Sequence, residues 1–133
     1  MSFEPLHLCL RRQVRQRHLL DLRRLEQRVL PFADEDLWVG VVRSSHAKVF
    51  CAGADLKAVS SGTPINTPKG GFAGIVKYPR RKPMIAAVDG VALAGGCEIV
   101  LACDLCVAGE GARFGVPEVK RSLVAAAGGL FRL

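Results

Sequence analysis

Uncharged apolar runs long enough to cross a bilayer are missing from this chain. Its longest apolar region, Met84 to Ala108, is interrupted by Asp89, Glu98 and Asp104, so no window of about 18 uncharged apolar residues exists and no transmembrane helix is expected. Aromatic residues are scarce, 6% of 133 with one Trp and one Tyr, and no stacking platform for single-stranded nucleic acid is visible. The histidines His7, His18 and His46 are not spaced to complete a zinc site with Cys103-Asp-Leu-Cys106, and no second cysteine pair follows. No metal is expected. The cysteines Cys9, Cys51, Cys97, Cys103 and Cys106 are odd in number and mostly lie among apolar or small residues. They suit small buried thiols in a reducing compartment, the cytoplasm or, in a eukaryote, the mitochondrial matrix.

What is present fits one small domain. Half the residues are hydrophobic and 23% are charged, ordinary for a soluble globular chain of this length. The formal charge of +7 is unevenly spread. Residues 1–35 hold Arg11, Arg12, Arg15, Arg17, Arg23, Arg24 and Arg28, and the first thirty residues oppose them only with Glu4, Asp21 and Glu26. A solvated basic helix is the first reading of this segment. An arginine-rich transit segment and a nucleic-acid patch are the alternatives. Leu19, Leu20, Leu22, Leu25, Val29 and Leu30 recur at helical spacing before Pro31 ends the run.

From residue 36 onward, strands and helices alternate. Leu37–Val42 reads as a strand covered on both faces, and Phe50–Asp55 as a small-residue segment leading to a short helix from Leu56. Residues 60–71 form a loop, and a helix is predicted over 72–78. Met84–Val88 is a second buried strand, closed by an Asp89-Gly90 turn. Val91–Gly96 then leads to a helix over 97–103, and Leu105–Ala108 is a third strand. No internal repeat is visible, and the alternation predicts an α/β layered domain.

Two corners, Ala52-Gly53-Ala54-Asp55 and Ala94-Gly95-Gly96-Cys97, each follow a strand and precede a helix. Small residues there leave backbone N–H groups uncovered, and donors at a helix start are unpaired within the helix. Two such donors converging would stabilise an oxyanion; tight packing is the alternative reading of each corner. Glu98, one turn into an apolar helix, is either a charge complementing the helix dipole or a functional group. Together with Glu118 in Phe114-Gly-Val-Pro-Glu118, it could position a water and exchange its proton with a carbon acid.

Three segments carry a resemblance. Phe50-Cys-Ala-Gly-Ala-Asp-Leu-Lys57, Pro83-Met-Ile-Ala-Ala-Val-Asp-Gly-Val-Ala-Leu-Ala-Gly-Gly-Cys-Glu98 and Leu101 through Pro117-Glu118 resemble, in register, the enoyl-CoA hydratase/isomerase (crotonase) superfamily. The resemblance implies an α/β spiral of ββα units. It also implies that Ala54 and Gly95 supply the N–H groups that hold a thioester carbonyl, and that Glu98 and Glu118 hold a water and move its proton. Ala52, Asp55, Leu56 and Lys57 would lie along coenzyme A. The basic residues Lys69, Lys77, Arg80, Arg81 and Lys82 are further candidates for its phosphates, with plain solvation as the alternative for residues 77–82. Hydration of a 2-enoyl-CoA, or its reversal, is the implied reaction, with coenzyme A arriving as part of the substrate and no permanently bound cofactor.

The same resemblance sets two departures. Family members open with a strand and an Asn-Arg-Pro-type turn, neither of which residues 1–35 show clearly. Their domain also continues well beyond Leu133, into a helical region that covers the acyl pocket and builds a trimer or dimer of trimers. Residues 36–133 are thus expected to be an incomplete domain, the N-terminal core half, with apolar faces and a strand edge exposed. The competing functions are an inactive fragment acting in coenzyme A binding or subunit assembly, and an RNA-binding relative using the arginine-rich start.

Overall fold

The computed structural model describes residues 6–10, 38–46 and 48–133. Nine strands are found among them, β1 (Leu6–Leu10), β2 (Gly40–Ser44), β3 (Val49–Cys51), β4 (Asn66–Thr67), β5 (Gly71–Phe72), β6 (Met84–Val88), β7 (Val91–Leu93), β8 (Leu105–Ala108) and β9 (Arg113–Gly115). The helices are α1 (Leu56–Ser60), α2 (Gly95–Leu101) and α3 (Gly129–Arg132), with a 3-10 turn at Pro117–Arg121.

The strands sort into two main sheets by a simple rule. Strands β2, β6 and β8 lie in one sheet, ordered β1-β2-β6-β8; their successors β3, β7 and β9 form the other, ordered β3-β7-β9. Each unit therefore gives one strand to each sheet and then turns, into α1, α2 or the 3-10 turn. All these pairings are parallel except β1 with β2. This is the expected ββα spiral. Its units begin at residues 40, 84 and 105, spacings too uneven to show as a sequence repeat.

Burial follows the strand period. Along β6, Met84, Ala86 and Val88 are buried while Ile85 and Ala87 are half-exposed. These side chains meet Val42 of β2, Phe50 of β3, Ala92 of β7 and Ile99 of α2 in one core. Each large side chain removed from water there contributes roughly 1.5–3 kcal/mol. Among the described residues, no helix is long and apolar enough to cross a membrane.

Four expectations need correction. The start of the chain is not helical throughout, because Leu6–Leu10 is a strand that pairs antiparallel with β2, Leu6 opposite Ser44 and Leu10 opposite Gly40. Its signal was the alternation of Leu6, Leu8 and Leu10 with His7 and Cys9. The helix expected over residues 19–30 lies outside the described residues. The helix expected over 72–78 is a series of tight turns, since Gly71, Ala73 and Gly74 all adopt positive φ and break the helical path. Trp38 precedes β2 and is 82% exposed, so the strand read as starting at Leu37 begins at Gly40 instead. Within residues 60–71, Asn66–Thr67 pairs with Gly71–Phe72, giving that loop a small hairpin.

Candidate functional site

Because β3, β7 and β9 are parallel neighbours with β7 in the middle, the chain leaves all three at the same sheet edge. The carboxyl ends of parallel strands are where open α/β sheets build ligand sites. Here β3 delivers Ala52–Asp55, β7 delivers Ala94–Gly96 and β9 delivers Val116–Glu118. Both small-residue corners and Glu118 thus meet by topology, although they are far apart in sequence.

The contacts are close. A methyl group on Gly53 would stand 2.9 Å from Ala94 Cβ and 3.1 Å from Gly95 N, so the first corner abuts the second. Gly53 also has φ 97°, a conformation that side chains rarely adopt. On the other flank, Ala94 N–H donates to Gly115 O at 2.9 Å, tying the middle corner to β9. Ala94 itself holds φ 51° and ψ −131° with no side-chain cap on α2. Backbone of that kind in a non-glycine residue costs on the order of 1–3 kcal/mol and gathers at functional corners. Gly95 is the first residue of α2, so its N–H has no carbonyl within the helix to bond. The ring of Phe72 covers its Cα side, 2.5 Å from where a methyl would project.

The two carboxylates differ in setting. Glu98 is a buried charged side chain, 3% exposed, in the first turn of α2. Its Oε1 accepts the N–H of Gly129 at 2.9 Å. Glu118 lies in the 3-10 turn after β9, half-buried, and its Oε2 is buried without a hydrogen-bond partner among the described residues. Buried polar atoms are nearly always paired, and an orphaned one calls for an explanation. Both carboxylates act on the thiol of Cys97, the last residue of the second corner. Burial raises its pKa first, the Gly115 backbone opposes this, and Glu118 and then Glu98 raise it further. Glu98 and Glu118 therefore lie within electrostatic reach of one buried sulfur.

The residues expected along coenzyme A divide. Ala52, Leu56 and Lys57 are exposed at the rim of this edge. Asp55 has a local task, its carboxylate accepting the Lys57 N–H at 2.8 Å to cap α1. Lys69 stacks over the Tyr78 ring at 5.0 Å. Arg80 is neither plainly solvated nor free for a phosphate: it donates to Ala102 O at the end of α2 and pairs with Asp104 at 3.4 Å. Sequence reasoning missed this helix closure, and it missed Phe72 and the Gly129 amide. A backbone N–H leaves no side-chain signature, and Gly128-Gly129 alone reads as a turn.

The four described cysteines are free thiols, and none is poised as a thiolate. Cys97 is buried as expected, Cys51 and Cys103 are half-buried, and Cys106 is exposed on β8, against expectation. Cys103 donates to Ile99 O at 3.3 Å. Burial pushes its pKa from 9.0 up to about 12, with Arg80 opposing and Asp104 and Cys106 adding to the rise. Between those values the unfolded chain has lost a proton that the folded chain keeps. This contribution to stability is therefore complete below about pH 9 and is lost as pH rises toward 12, by at most about 1.4 kcal/mol per unit. Urea midpoints of the native chain should fall between pH 8 and 10.5, and Cys103→Ala should flatten that slope; equal slopes would remove Cys103 as the cause. Among the described residues, no cluster of His, Cys, Asp or Glu could hold a metal ion.

Comparison with known proteins agrees with this geometry. A sequence profile described as enoyl-CoA hydratase/isomerase matches residues 25–133. An enoyl-CoA hydratase structure from Mycobacterium marinum is 47% identical, with a TM-score of 0.74 over 84% of this chain and 43% of that one. A carnitinyl-CoA hydratase structure from Mycobacterium avium is 52% identical, with a TM-score of 0.70 over 75% of this chain and 40% of that one. Mevalonyl-coenzyme A hydratase of Beauveria bassiana is 44% identical over 69% of this chain and 37% of its own length. The chain thus spans well under half the length of these relatives. Matched over most of its residues and folded as part of the same spiral, the chain belongs to the enoyl-CoA hydratase/isomerase family.

Proposed function

We propose that this chain carries the hydration site of an enoyl-CoA hydratase-type enzyme, adding water reversibly to a 2-enoyl-CoA thioester. The observation that carries the reading is the buried Glu118 Oε2, without a partner among the described residues, on the turn that leaves β9 at the same sheet edge as the joined corners that bear Ala54 and Gly95. In this reading the N–H groups of Ala54 and Gly95 hold the thioester oxygen and draw charge from the conjugated double bond. A water held by the two carboxylates gives its oxygen to the β-carbon as one carboxylate takes its proton. A proton passes from the carboxylate pair to the α-carbon, so one water is consumed and the pair is restored. The reverse reaction expels water. Coenzyme A enters with the substrate, its length running past Ala52, Asp55, Leu56 and Lys57.

The test is loss of the enoyl-thioester absorbance on adding the 133-residue chain to a short 2-enoyl-CoA. Turnover that disappears in Gly95→Pro is expected, since proline deletes the donor N–H; its ring carbons would also press on Phe72, so the unfolding curve of the variant is read beside its turnover. Removing one oxyanion donor typically lowers the rate about a hundredfold to a thousandfold. Undiminished turnover in that variant would move the oxyanion hole elsewhere.

A second reading, action within an assembly, draws on the surface. All four residues of β8 are exposed at a sheet edge, and Val119, Val124, Leu130, Phe131 and Leu133 are each more than 60% exposed. Apolar area and an open edge of this kind favour association. Light scattering should then give a mass that rises with concentration, whereas a constant monomer mass would contradict it. A reducing compartment, cytoplasm or mitochondrial matrix, suits the four free thiols. The arginine-rich start, on which an RNA-binding reading rests, lies mostly outside the described residues.

A further inference from the structure

The segment after β9 does more than present Glu118. It begins with the 3-10 turn carrying that residue, ends its turn at Ser122 with φ 53°, and returns through Ala125 to Gly128, whose φ of 109° redirects the backbone. The next amide, that of Gly129, donates to Glu98 Oε1 at 2.9 Å in a buried setting. One short arm therefore holds one carboxylate on its own turn and grips the other through its far end. We infer that the Gly129 backbone N–H is a positioning group for the hydration reaction: it fixes the Glu98 carboxylate by one oxygen and sets its place relative to Glu118.

Three observations support this. Glu98 is almost wholly buried, and a buried carboxylate is held only where hydrogen bonds replace its water. Gly129 is buried as well, and its amide is a charge-assisted donor to that carboxylate. The fit also has no slack: a methyl on Gly129 would stand 3.2 Å from Glu98 Oε1, 3.3 Å from Glu98 Cγ and 3.2 Å from Ala125 Cβ. A methyl at 129 would thus press on Glu98 on one side and on Ala125 on the other, and a shift of a few tenths of an ångström must be taken up between them. Displacement of a reacting group by about 1 Å can cost a hundredfold in rate.

The inference rests on the hydratase reading, so its test has two separate readouts. In the 15N-labelled chain, the Gly129 amide proton should resonate downfield, as a donor to a carboxylate does, and should move upfield in Glu98→Gln, where a neutral oxygen replaces the charged one. In steady-state hydration, Gly129→Ala should lower kcat about tenfold with KM for the enoyl-CoA within about twofold. Adding Ala125→Gly should recover part of kcat by letting the new methyl retreat from Glu98. A Gly129 amide indifferent to Glu98 overturns the inference whatever the activity. If the amide responds and the wild-type chain turns over, an unchanged kcat in Gly129→Ala overturns it equally. If the amide responds but the wild-type chain hydrates nothing, the hydratase reading has failed and the positioning role falls with it.

Discussion

Glu118→Gln lowers hydration of a short 2-enoyl-CoA by about a hundredfold to ten-thousandfold, the range of a lost general acid or base, and Glu98→Gln does the same. Binding of a saturated acyl-CoA changes little in either variant. Glu98 stands in the first turn of α2, and Glu118 in the turn that leaves β9, so each follows a strand of the same parallel sheet. Replacing either carboxylate with an amide keeps shape and most hydrogen bonds but ends proton exchange. In Glu98→Gln the new side-chain carbonyl oxygen still accepts the Gly129 N–H, so the fold should survive. Stopped-flow or steady-state assays, with binding of butyryl-CoA measured in parallel, separate the two effects. A variant that loses binding and turnover together has lost structure rather than acid–base chemistry, and a variant with full turnover removes that glutamate from the mechanism.

Gly96→Ala is expected to cost the fold a large part of its stability. Its added methyl would project to 2.1 Å from the Cys51 carbonyl oxygen and 2.6 Å from the carbonyl carbon. These are backbone atoms of β3, held in register by the pairing of Cys51 with Ala92 of β7, so no flexible side chain is available to yield. Either β3 or α2 must shift, and the join between the two corners opens. A loss of about 3 kcal/mol is expected, at the upper end for overpacking, or a fall of roughly 10 °C in Tm for a domain of this size. Gly111→Ala is the matched control, because the nearest atom to its methyl would be Asp89 O at 3.8 Å. Equal Tm values for the two variants would show that the corner is looser than its geometry states.

Much of this architecture was legible in the sequence. The residues 84–88 and 105–108 fold as strands and those from 56 as a helix, and the helix read over 97–103 runs over Gly95–Leu101, two residues earlier, because each run joins a clear apolar pattern to a small-residue break. That the two corners abut was implied only by the resemblance. Parallel pairing of β3, β7 and β9 is a long-range fact that no local pattern encodes. Local pattern failed where backbone geometry overrode it. Phe72 to Tyr78 has helix-compatible residues, yet left-handed Ala73 and Gly74 fold it into turns that drive Phe72, Ile75 and Val76 into the core. At the chain start, an arginine-rich helical pattern masked the five-residue alternation that forms β1. Arg80 was read as part of a basic cluster; its partners, Ala102 and Asp104, are more than twenty residues distant.

The open flank of the molecule bears directly on activity. β8 is exposed along its length and Phe131 is 91% exposed, beside the arm that carries Glu118 and Gly129. Whether the corners keep their geometry in the chain as it stands is therefore the question on which every rate prediction depends. It is answered by thermal unfolding of the 133-residue chain alone, with free coenzyme A, and with butyryl-CoA in large excess. A ligand that binds only the folded state adds about 2.7 kcal/mol at a hundred times its Kd. One cooperative transition is expected, moving up by several degrees with butyryl-CoA and by more than free coenzyme A produces. A transition unmoved by the thioester, or no cooperative transition under any condition, would contradict that expectation.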